Sequence, residues 1–117
     1  MREEKFKLLQ FIREFIVRVE NELENFPKKD LEIKRRIKDS SYELLELVYQ
    51  ANMLEEVKDK KYLLVKAITK VKMIDFLINL SYDRELLPQK KYIKLSEKLD
   101  DIIKYISGLL KMYNKPE

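Results

Sequence analysis

Residues 59–82 read DKKYLLVKAITKVKMIDFLINLSY, a run with no glycine or proline. Two apolar series pass through it at three- and four-residue steps. Tyr62, Val65, Thr69, Met73, Phe76 and Leu80 make one stripe, while Leu64, Ala67, Ile68, Val71, Ile74 and Ile78 cover much of the other side. That spacing predicts an α-helix that is apolar nearly all round. Such a helix is either sunk in the centre of its fold or shared with another subunit. In a bundle this small the second explanation is favoured, and Leu64, Ala67, Ile68, Val71, Ile74 and Ile78 are the residues expected at the subunit interface.

Three further helices flank it. From about residue 4 to residue 24, Leu8, Leu9, Ile12, Phe15, Ile16, Val19 and Leu23 fall on one stripe, which stops at Asn25-Phe26-Pro27 because proline forces the residue before it away from helical angles. A second helix is expected near the capping residue Asp30, burying Ile33, Ile37, Ser41, Leu44, Leu45, Val48 and Ala51. Its apolar rhythm fades over residues 55–60, where a turn is expected, although nothing there forbids one longer helix. The last helix opens at Pro88 and buries Tyr92, Leu95, Leu99, Ile102, Ile103, Ile106 and Leu110. Gly108 lies within this pattern, which reads either as room for a close neighbouring helix or as the start of fraying. Short connections between long amphipathic helices predict an all-α, antiparallel up-down four-helix bundle, one domain over residues 1–117.

Composition narrows the chemistry. Cysteine and histidine are absent and Gly108 is the only glycine. Thiol nucleophiles, cysteine zinc sites, histidine-based proton transfer and glycine-rich phosphate loops are therefore excluded. The acids that stack, Asp39, Glu43 and Glu46, face outward, and the Glu-x-x-His pattern of bundle metal sites is missing, so no catalytic residue, metal or cofactor is expected. Tyr62 and Tyr92 read as packing residues on core stripes. The charged N-terminal stretch and the lack of a long apolar run predict a cytoplasmic protein with no membrane contact.

Lys plus Arg number 25 against 21 Asp plus Glu, for a net charge of +4. The densest cations are Lys28, Lys29, Lys34, Arg35, Arg36 and Lys38, with Tyr42 and Tyr49 continuing the flank of Lys34 and Lys38. Lys66 and Lys70 stand one turn apart on the third helix, within a group that starts at Lys60 and Lys61, and Lys90, Lys91, Lys94 and Lys98 line the fourth. Lys28, Lys29, Lys34, Arg35, Arg36, Lys38, Lys66 and Lys70 are the candidates for phosphate contact, without base readout. A ring of subunits would repeat these flanks around an axis and concentrate a modest field.

The order of these features resembles a known family. FPKKDLEIKRRI at residues 26–37, ELLELVYQAN at 43–52 and LPQKKYIKLSEKLDDIIKYISGLLK at 87–111 resemble the Avd proteins, accessory variability determinants of diversity-generating retroelements. The wider family includes the four-helix proteins encoded within intervening sequences of bacterial 23S ribosomal RNA genes. The resemblance implies a four-helix bundle assembled as a homo-oligomer, a pentamer. It also implies association with a reverse transcriptase and binding of RNA or DNA through positive surfaces, in support of mutagenic copying of a template RNA into cDNA. Avd-like proteins carry arginines in the second half of the third helix, where this chain has Asp75 and Asn79. That departure moves the expected nucleic-acid contacts to the second helix and the lysines flanking the third. The other expectation is a structural module of the intervening-sequence type that recruits a partner helix without binding nucleic acid.

Overall fold

The computed structural model describes residues 2–115, with side chains from residue 7 onward. Its helices are α1 (Arg2–Leu23), α2 (Leu31–Met53), α3 (Val57–Asp83) and α4 (Gln89–Asn114), with a 3-10 turn at Lys28–Asp30 ahead of α2. Each helix packs on its neighbours in sequence and α1 closes against α4, so the four form a square, up-down bundle measuring 51 × 22 × 19 Å. The core runs along the middle, through Ile12 and Phe15 of α1, Ile37 and Leu44 of α2, Val71, Ile74 and Ile78 of α3, and Leu95, Leu99, Ile102 and Ile106 of α4, all close to fully buried. Burial of each such side chain stabilises the bundle by roughly 1.5–3 kcal/mol, which outweighs what helix propensity contributes over the same residues.

The connections use chemistry that differs from the expected signals. After α1, Phe26 folds back and is itself buried, so the α1–α2 loop is anchored in the core. Asp30 occupies the N-cap position of α2 as expected, yet its side chain makes no capping hydrogen bond. It turns inward instead, with Oδ1 3.9 Å from Arg84 Nη1 of the α3–α4 loop. The α2–α3 junction is residues 54–56, with no glycine or proline. Here the Lys60 ammonium, buried at the start of α3, donates to the Ala51 carbonyl at 3.0 Å. A cation is favourable at a helix C-terminus, where carbonyls lack partners, and this one holds the end of α2 against the start of α3. Lys60 is therefore a structural residue and not part of a surface basic group.

The end of α3 is a Schellman motif, with Leu86 N–H donating to the Ser81 carbonyl and Glu85 N–H to the Tyr82 carbonyl, each at 2.9 Å. Its left-handed position is filled by Glu85 at φ 62, the only non-glycine residue with positive φ among those described. The one glycine, Gly108, is elsewhere, exposed on α4 six residues before the helix ends, and a Cβ added there would meet nothing within 4 Å. Neither close helix packing nor fraying accounts for it. Gly108→Ala and Glu85→Gly are each expected to stabilise the protein by about 1 kcal/mol, the first by helix propensity and the second by relieving left-handed strain. In a thermal melt each should raise Tm by about 3–5 °C.

Candidate nucleic-acid and subunit surfaces

The two apolar series of α3 face in opposite directions, and the series expected at a subunit interface is the one that faces the chain's own core. Leu64, Ala67, Val71, Ile74 and Ile78 lie in the chain's own core, and Ile68 is partly buried against it. The five buried residues leave no surface for a subunit contact, because they are already covered within the chain's own core. The other series faces solvent, with Tyr62 62% and Phe76 60% exposed, Val65, Thr69 and Met73 exposed between them, and Leu80 half-buried. Tyr62 is therefore not a core residue. Tyr92 is partly buried against the core, stacking on Tyr82 with centroids 4.4 Å apart and donating its hydroxyl to Asn79 Oδ1. Asn79 thus serves the α3–α4 contact.

The candidate cations divide by partner. Arg35 is held by Glu32 at 2.6 Å, Lys38 stands 3.6 Å from Glu20, and Lys70 is 2.9 Å from Glu43. Exposed pairs of this kind add little stability, but they offset the charges a phosphate would seek. Lys28, Lys29, Lys34, Arg36 and Lys66 make no ion pair among the described residues, and the Lys66 ammonium lies 5.0 Å from the centroid of the Tyr62 ring. Lys28, Lys29, Lys34 and Arg36 gather at the end of the bundle where α1 turns into α2; Lys66 and Lys70 sit midway along α3. The eight cations therefore do not form one surface. On α4, Lys91 and Lys98 are tied to Glu22 and Glu14 of α1, at 3.4 and 3.6 Å.

On α2 the outer surface has two flanks. Glu43, paired with Lys70, marks the side toward α3; Asp39 and Glu46 are exposed between the flanks, Glu46 one turn from both Tyr42 and Tyr49. Lys38 and Tyr42, both bound to Glu20, mark the side toward α1. The Glu20 carboxylate that accepts the Tyr42 hydroxyl at 3.1 Å raises the pKa of that phenol, with Lys38 opposing. A groove along the outside of α1 is lined by Leu9, Arg13, Val17, Tyr42, Leu45 and Tyr49. Arg13, in this groove and without an ion pair among the described residues, was not among the sequence candidates, since only the α1–α2 packing sets it in a groove with Tyr42 and Tyr49.

No group of three or more acidic side chains among the described residues is arranged to hold a metal ion, and no helix is long and apolar enough to cross a membrane. Asp75 carries a raised pKa, from partial burial first and the facing Asp100 second, with Lys72 opposing. Ionised Asp75 therefore works against the fold at pH values above its folded pKa, and the penalty lifts as pH falls through it. Asp75→Asn should raise stability at pH 7 by at most about 0.5 kcal/mol, given its exposure. In chemical denaturation at pH 3 that gain should be gone.

The described residues thus form a bundle with an apolar outer stripe on α3 and a cation-rich end. The chain belongs to the bAvd-like family, whose model matches residues 3–113, a family of helical accessory proteins and not a known enzyme family. Among solved structures it is similar to a protein of unknown function from the S23 ribosomal protein family of Bacteroides thetaiotaomicron VPI-5482, with TM-score 0.84 and 15% identity over 92% of this chain and 98% of that one. No curated protein matches the chain. At that identity the structural likeness speaks for the four-helix fold.

Proposed function

We propose that the protein is a non-enzymatic, cytoplasmic accessory subunit of a diversity-generating retroelement. In this reading it assembles as a homo-oligomer, a ring of five, and holds a reverse transcriptase together with template RNA or cDNA. The observation that carries the reading is the exposed stripe of Tyr62, Val65, Met73 and Phe76 on α3, in a chain whose family is bAvd-like. Soluble monomers seldom leave so long a contiguous apolar row uncovered, and a subunit contact would cover it. Assembly would then repeat Lys28, Lys29, Lys34 and Arg36 around the axis, with Lys66 beside each contact, giving a polyanion several equivalent places to bind. Arg35, Lys38 and Lys70 contribute less, because Glu32, Glu20 and Glu43 already balance them.

Binding should be insensitive to sequence and steeply dependent on salt. Titrating a fluorescent single-stranded RNA between 50 and 200 mM salt is expected to give a slope of log K against log salt of about −3 for the four cations of one subunit, at roughly 0.7 per phosphate contact. No binding at 50 mM would remove the nucleic-acid half of the proposal. The competing reading, a structural module that recruits a partner helix, is supported by the three candidate cations that are already neutralised; it predicts a monomer that ignores RNA but retains an apolar stripe for another protein.

A further inference from the structure

The groove outside α1 is built in matched levels. Lys34, Lys38, Tyr42, Leu45 and Tyr49 follow one another at three- and four-residue steps down one flank of α2. α1 and α2 are antiparallel, and Glu20 of α1 meets Tyr42 of α2. Moving three and then seven residues away from that contact along both helices places Val17 opposite Leu45 and Arg13 opposite Tyr49. Tyr42 and Tyr49 are 42% and 52% exposed, and the exposed Val17 and half-buried Leu45 form an apolar floor between them.

We infer that this groove seats unpaired bases of a single-stranded nucleic acid, which stack on Tyr42 and Tyr49 while Arg13 and Lys34 hold the adjoining phosphates. The inference rests on the nucleic-acid half of the reading above and deepens it, adding a preference for single strands that a cation-rich end alone does not give.

The residual charge of the groove favours this occupant. Three carboxylates line it, and each is already matched by a lysine: Glu14 by Lys98, Glu20 by Lys38 and Glu22 by Lys91. Its two arginines, Arg13 level with Tyr49 and Arg18 one turn from both Glu14 and Glu22, make no ion pair among the described residues. What is left over is positive. Glu46, one turn from both rings, is exposed but does not line the groove, so phosphates have their opening on the α1 side, next to Arg13. Aromatic faces set among cations hold single strands without reading sequence, because every base has a face to stack.

The spacing also fits. Tyr42 and Tyr49 are seven residues apart, about 10 Å along the helix, or three stacking intervals of roughly 3.4 Å, which leaves room for two bases between the rings. Glu20 holds the Tyr42 hydroxyl at 3.1 Å, so that ring has less freedom to lose when a base arrives. In the other direction the row continues through Lys38 to Lys34 and the cation-rich end, giving one strand an unbroken path. A base inside a duplex is covered on both faces by its neighbours and cannot enter.

The chain has no tryptophan, so Tyr49→Trp places a single indole in the groove. Saturation with a short oligouridylate at 50 mM salt is expected to quench the indole emission by about half, while an RNA duplex of equal length leaves it unchanged. Tyr42→Ala and Tyr49→Ala should each weaken oligouridylate binding by about 10-fold without changing duplex binding or the slope of log K against log salt, since no phosphate contact is lost. Tyr42→Phe and Tyr49→Phe keep the rings and should bind within about twofold of the parent. Both positions are exposed, so circular dichroism should find all these variants folded. If both alanine variants bind oligouridylate like the parent, if duplex and single strand lose affinity equally, or if Tyr49→Trp saturates without quenching, the base groove is wrong while the phosphate contacts stand. A parent that binds no RNA at 50 mM salt overturns both.

Discussion

Ile74→Asp is expected to abolish the cooperative thermal transition, whereas Phe76→Asp, two residues further along the same helix, should melt within a few degrees of the parent. Ile74 is fully buried between α3 and the other helices, and Phe76 is 60% exposed. An unpaired carboxylate in the core costs about 4–5 kcal/mol or more, comparable with the roughly 5–15 kcal/mol that holds a domain of this size together. At Phe76 the same carboxylate stays in water and only an exposed ring is lost. Far-ultraviolet circular dichroism during a melt distinguishes the two variants. The opposite outcome would mean that the two stripes of α3 had exchanged roles, and that the outward one is the core.

The second large effect concerns charge. Changing Lys28, Lys29, Lys34 and Arg36 together to glutamine should lower affinity for single-stranded RNA about 100-fold near 0.1 M salt and flatten the salt dependence by close to three units of slope. Changing Arg35, Lys38 and Lys70 instead should have a much smaller effect, because each already has a carboxylate within 4 Å. The first set removes four cations and the second three, so a difference much larger than that ratio reports on the surface and not on net charge. Equal losses from the two sets would indicate diffuse attraction, with no preference for the α1–α2 end of the bundle.

Most of the architecture follows from apolar spacing alone. α1, α2 and α4 each have one clear stripe, and the structure buries most of it, with Leu9, Leu45, Tyr92, Ile103 and Leu110 partly buried at its edges. α3 is different because both of its stripes are apolar, so periodicity identifies the helix without saying which side faces in. What decides this lies outside the helix: Ala67 and the aliphatic Val71, Ile74 and Ile78 fit the narrow space left by three other helices, while Tyr62 and Phe76 are larger and turn outward. The presence of Tyr62 and Phe76 together with Thr69 on one stripe, and small or branched aliphatics on the other, was the available signal. The cation candidates show a related limit. Cations such as Lys38 and Lys70 are plain in the sequence, but the acids that neutralise them, Glu20 and Glu43, come from another helix. Arg13 stands apart from other cations in the sequence, and only the α1–α2 packing sets it in a groove with Tyr42 and Tyr49. At the loops the usual markers mislead, since the left-handed residue after α3 is a glutamate and the sole glycine sits in open helix.

Of the charged side chains described, only Lys60 is buried, its ammonium occupied by the Ala51 carbonyl. Amine-directed acylation should therefore treat it unlike its neighbours: Lys58 and Lys61 can react in the native protein, and Lys60 reacts only as fast as the junction between α2 and α3 opens. A single residue thus becomes a chemical clock for local breathing at a corner that contains neither glycine nor proline.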